Sequence, residues 1–63
     1  MNELEQRRKR LGLSQKGLAE KSGVNLRMVQ YYEQGFKDIK KAQAATVLKL
    51  ARALECTVED LIK

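Results

Sequence analysis

Between Ser14 and Gly35 the chain reads SQKGLAEKSGVNLRMVQYYEQG, and no other stretch limits the possible folds as strongly. Ser14 is an N-cap type of residue standing before a segment, Gln15 to Ser22, with Leu18, Ala19 and Ser22 on one helical face. Gly23 suits a turn at positive φ. Asn25 then N-caps a further segment, Leu26 to Gln34, which Gly35 ends. Gly17 sits where a capping-box glutamate would be expected and costs its short helix about 1 kcal/mol relative to alanine.

Two short helices joined at a glycine turn can cross closely only under three conditions. The first helix needs a small residue at the crossing, the turn needs a residue free to take positive φ, and the second helix needs a branched apolar residue to lock the angle. Ala19, Gly23 and Val29 meet these needs, and Leu18, Val24 and Tyr32 fill the apolar positions around them. Six matches in register, together with both N-caps, predict a helix-turn-helix over Gln15 to Gln34.

The same stretch holds the adjacent pair Tyr31 and Tyr32, two of the three aromatic residues in the chain, Phe36 being the third. Neighbours on a helix point about 100° apart, so both cannot face the core. With Val29 taken as the inward direction, Tyr32 falls on the core side. Arg27, Gln30, Tyr31 and Gln34 fall on the opposite side, a polar face without an acid. The alternative for Tyr31 is a ring lying half-exposed on its own helix.

The rest of the chain also reads as helical. There is no proline, and Leu, Ala, Lys, Glu, Gln and Arg dominate. A first helix is expected over residues 3–11, with Leu4 and Leu11 on one face and Gly12 at C′. Residues 36–43 form a basic connection. A fourth helix starts between Asp38 and Gln43 and runs to Leu54, with Val47, Leu48, Leu50, Ala51 and Leu54 mostly inward. Thr57 and Asp60 are spaced as N-cap and N3 of a short fifth helix bearing Val58, Leu61 and Ile62. With 63 residues, a single all-α domain over 1–63 is expected.

Charge is unevenly divided. Residues 1–52 carry twelve basic and five acidic side chains, whereas residues 53–63 carry Lys63 against Glu55, Glu59 and Asp60. A basic body points to a polyanionic partner, although a lysine-rich solvated surface would have the same composition. The run Arg7–Arg8–Lys9–Arg10 is not a single patch, because on a helix its four side chains spread around the axis. The lone Cys56 is expected to be a buried core thiol, since a single cysteine makes no internal disulfide and there is no histidine to activate it. With no signal-like segment or long apolar run, a cytoplasmic protein without a membrane partner is expected.

The segments LGLSQKGLAEKSGVNLRMVQYYEQG and LKLARALECTVEDLI together resemble the Cro/C1-type helix-turn-helix family, also called the XRE family. The likeness runs from about Leu4 to Ile62 and is most similar to the small stand-alone bacterial or phage members. It implies a compact five-helix bundle of the lambda-repressor-like type, with helices 2 and 3 forming the motif. By position, the resemblance implies a third helix lying in the major groove of double-stranded DNA, with Leu26, Arg27, Gln30 and Tyr31 facing bases. It also implies phosphate contacts from Gln15, at a helix N-terminus, and from Gln34, Lys37, Lys40 and Lys41. Arg8 and Glu33 fall where the family often pairs a first-helix arginine with the glutamate near the end of helix 3. The rest of the basic run is then a solvated or phosphate-facing remainder. Three departures stand out. Gly17 replaces a usual acid, Leu26 replaces a usual polar residue, and the stretch after Gly35 is longer than the commonest spacing and lacks the usual proline.

The expected function is therefore sequence-specific DNA binding by a repressor-like transcriptional regulator. Its expected partners are a near-palindromic operator and a second copy in a weak homodimer. Leu61 and Ile62 are expected to supply the dimer contact unless Leu61 closes the core instead. The alternative is a protein-interaction module, such as an antitoxin-type partner binder, on the same fold. Enzymatic chemistry is not expected, because there is no histidine, metal-ligand cluster, phosphate-cradling glycine loop or convincing carboxylate pair. No cofactor, metal or small-molecule ligand is expected either, and the chain is too short to hold a separate sensing domain.

Overall fold

Side chains that satisfy the free backbone groups at helix ends set most of the boundaries. In the computed structural model, which describes residues 2–62, α1 runs Glu3–Arg10, α2 Gln15–Ser22, α3 Leu26–Gln34, α4 Ala44–Ala53 and α5 Val58–Ile62. A single 3-10 turn, Ile39–Lys41, lies between α3 and α4, and no strand occurs among the described residues. Ser14 Oγ accepts the Gly17 N–H at 2.9 Å to start α2, and Asn25 Oδ1 accepts the Arg27 N–H at 2.8 Å to start α3. Thr57 and Asp60 form a reciprocal capping box at α5: Asp60 N–H donates to Thr57 Oγ1 at 3.1 Å and Thr57 N–H to Asp60 Oδ2 at 3.0 Å.

The core forms where α2 packs against α3 and α4, with α1 closing over α3 and α5. Leu18, Val29 and Leu50 are fully buried at its centre, and Leu4, Ala19, Val24, Tyr32, Val47, Ala51, Ala53, Leu54 and Leu61 surround them. Gly23 has φ +78, and its N–H returns to the Ala19 carbonyl at 2.9 Å, so the turn also closes the end of α2.

Several expectations need correction. Helix α4 starts at Ala44, just past the expected interval. Asp38 instead caps the 3-10 turn through Lys40 N–H at 2.9 Å, and Ala42 and Gln43 are extended, at ψ 159 and 142, which interrupts the helix. Leu48 points outward, with 41% of its surface exposed, because Val47, Leu50, Ala51 and Leu54 already fill the inward face of α4. Leu11 follows the end of α1 and is also exposed, so its i, i+7 match to Leu4 does not bring it into the core. Leu61 closes the core, with 5% of its surface exposed, which is the alternative foreseen for it. Cys56 is half-buried against the core edge, and burial pushes its thiol pKa up, with Arg7 opposing the shift.

Glu55 takes φ +59, directly after the end of α4, and is the one non-glycine residue in the left-handed region among those described. Cys56 N–H reaches back to the Ala51 carbonyl at 3.0 Å, which completes the kind of helix stop usually built on glycine. Among the described residues no helix is long and apolar enough to cross a membrane.

Candidate nucleic-acid interface

Helix α3 is anchored on one side and free on the other. Val29 and Tyr32 hold it to the core, Tyr32 keeping only 6% of its surface exposed. On the outer side Arg27 and Gln34 are exposed, Gln30 and Tyr31 are half-buried, and Leu26 shows 37% of its surface. Arg27, Gln30, Tyr31 and Gln34 are the residues that the helical phase assigned to the outward face, whereas Leu26 was named there only through the family resemblance.

The acid of α3 is turned inward. Glu33 leaves 2% of its side chain exposed and accepts from three donors. Arg8 Nε donates to Oε2 at 2.7 Å, the Arg8 terminal NH2 group donates to Oε1 at 3.0 Å, and Gln15 Nε2 donates to the same Oε1 at 3.1 Å. Arg8 uses its remaining terminal nitrogen to reach the Leu13 carbonyl at 2.8 Å. The hydrogen bond to Glu33 raises the Arg8 pKa above its ordinary value, against the lowering effect of burial. The cluster ties α1, α3 and the start of α2 together, and it leaves no carboxylate of α3 on the outer face. Gln15 thus stands at the N-terminus of α2 with its amide oriented by Glu33.

The remainder of the basic run divides between ion pairs and solvent. Arg7 lies between Glu3 Oε2 at 3.6 Å and Asp60 Oδ1 at 3.7 Å, which corrects its reading as a solvated or phosphate-facing residue. Lys9 pairs with Glu5 at 3.6 Å, and Arg10 is exposed. Lys37, Lys40 and Lys41 are all exposed on the segment after α3. The chain folds back there, with Gly35 at φ +83 and Lys37 N–H donating to the Tyr31 carbonyl at 3.3 Å.

Two contributors escaped the sequence reading. Asn2 caps α1 through Glu5 N–H at 2.9 Å, and its Nδ2 donates to the Tyr32 and Glu33 carbonyls at 2.7 and 3.2 Å. One side chain thus serves the start of α1 and the end of α3. The Asn2-to-Glu5 spacing is a capping signal that was readable in the sequence. Phe36 is the other. It is 76% exposed and meets Tyr31 edge to face, with ring centroids 6.1 Å apart and planes at 87°. An aromatic residue isolated in a basic segment just after a helix-ending glycine was its visible signal.

Among the described residues no group of three or more His, Cys, Asp or Glu side chains could hold a metal ion. The family model for the helix-turn-helix matches residues 4–61. No curated protein and no solved structure matches the chain.

Proposed function

The chain belongs to the Cro/C1-type helix-turn-helix family, a family of DNA-binding domains, and from that premise we propose that it is a repressor-like transcriptional regulator that lays α3 in the major groove. The observation that carries this reading is the arrangement of charge on α3. Its one acid is turned inward and held by Arg8 and Gln15, while Arg27, Gln30, Tyr31 and Gln34 lie on the outer side. An α-helix with its side chains is about 10–12 Å across, which suits a major groove about 12 Å wide.

In this reading Arg27 takes guanine O6 and N7, and Gln30 takes adenine N6 and N7. Tyr31 and Leu26 make apolar contacts. Gln15, Gln34, Lys37, Lys40 and Lys41 meet phosphates, with the α2 N-terminal N–H groups beside Gln15. Residues 1–63 act as one domain, and two copies associate weakly on a near-palindromic site with half-sites about one DNA turn apart.

The test is selection from random duplexes, followed by affinity measurements across salt concentration. An enriched, near-palindromic pool is expected, with log Kd depending linearly on log salt at a slope of about 0.9 per phosphate neutralised. Arg27→Ala should lose about 1–3 kcal/mol and relax one base position, whereas Lys37→Ala should weaken all sequences alike and reduce the salt slope by about one. A pool with no enriched sequence would overturn the reading.

A further inference from the structure

We infer that Phe36 is a specificity-determining residue. With Tyr31 it forms an apolar wall that packs against the methyl group of a thymine in the bound DNA. The inference rests on the DNA-binding reading above and adds a residue to it. Phe36 does little for the fold, since 76% of it is exposed and it lies outside the core cluster. It is nevertheless held in place. Gly35 at φ +83 turns the chain, and the Lys37 N–H bond to the Tyr31 carbonyl fixes the segment against the end of α3. The Phe36 and Tyr31 rings consequently meet in a T-shaped arrangement, with centroids 6.1 Å apart. An edge-to-face partner restrains the tyrosine ring and extends its apolar surface beyond the helix.

Tyr31 stands one turn from Arg27 on the outer side of α3, so the two side chains are neighbours on that face. The wall is thereby continuous with the proposed base-reading residues. Tyr31, Phe36 and Lys37 line one shallow, mainly apolar recess. One of its three lining residues, Lys37, is a cation, and the next residue, Asp38, turns its carboxylate to its own loop backbone by accepting the Lys40 N–H. An apolar recess bordered by Lys37 fits a polyanion that displays an apolar group. The major groove offers one such group, the C5-methyl of thymine.

The duplex recovered by selection provides the test. Affinities are measured for the native chain and Phe36→Ala, on that duplex and on versions in which each thymine in turn is replaced by uracil, which removes only the methyl. One position should cost the native chain about fivefold, the scale of one buried methyl. Phe36→Ala should lose a similar factor on the parent duplex, become indifferent to that methyl, and melt at the native temperature. Native affinity in Phe36→Ala, or weakened affinity with full methyl sensitivity, would overturn the inference. So would a changed oligomeric state with unaltered methyl sensitivity, which would assign the ring to a protein contact. Failure to enrich any duplex defeats the DNA reading itself, whereas Arg27-dependent binding that ignores Phe36 defeats this inference alone.

Discussion

Arg8 and Glu33, 25 positions apart in the chain, meet through two parallel N–H donors at 2.7 and 3.0 Å, and the carboxylate they share is almost wholly removed from solvent. Bidentate geometry of this kind adds orientation as well as energy. Removing one charge leaves the other buried and unpaired. Glu33→Gln should therefore destabilise the protein by about 3 kcal/mol, a large share of the stability expected for so short a chain. Chemical denaturation measures the loss, and a native midpoint would show that the pair contributes little. Replacing both residues with apolar ones should recover part of the loss, because no charge is then stranded.

The adjacent tyrosines should separate stability from binding. Tyr32 is buried among core residues, so Tyr32→Ala should cost about 3–5 kcal/mol. Tyr31 is half-buried and touches Phe36 rather than the core, so Tyr31→Ala should melt close to the native temperature and show its effect on DNA affinity. Thermal melting of both variants decides the matter. Unfolding of Tyr31→Ala alongside a stable Tyr32→Ala would reverse the helical phase and remove the base-reading assignments.

Glu55 occupies a left-handed backbone position that costs a non-glycine residue about 1–2 kcal/mol. Glycine would relieve that cost and lose about 0.5–1 kcal/mol in chain entropy. The contact of Glu55 with Lys21 at 3.4 Å is exposed and contributes little. Glu55→Gly should thus stabilise the protein slightly, raising the melting temperature by a few degrees. A clear fall in melting temperature would mean that the Lys21 pair, or some other use of the side chain, outweighs the strain.

Cys56 should report on pH. Burial raises its thiol pKa, so folding favours the protonated form. Its contribution to stability is then fully present below the ordinary thiol range and is lost as pH rises through the higher folded value. Alkylation at neutral pH should be slower in the folded chain than in urea, and Cys56→Ser should flatten the loss of stability at alkaline pH. Equal alkylation rates in the two states would contradict this.

Helices α2 and α3 were legible residue for residue in the sequence. Their boundaries depend on local chemistry: Ser14 and Asn25 bond to N–H groups two or three residues away, and Gly23 and Gly35 accept positive φ without a steric cost. The Thr57–Asp60 cap is local in the same way. The inward set on α3 was also readable, since one helical period relates Val29 to Tyr32. The turning of Glu33 onto Arg8 was reachable only by family likeness, because nothing local brings together residues 25 positions apart. The orientation of Gln15 by that carboxylate, and the reach of Asn2 from the start of α1 to the end of α3, depend on how the helices cross. The same holds for Leu48 and Leu61. Both are apolar residues on amphipathic helices, yet one faces solvent and the other seals the core. Periodicity marks the inner face of a helix, but how far burial extends around it depends on the neighbouring helices, and here the space beside α4 was filled before Leu48 could enter it.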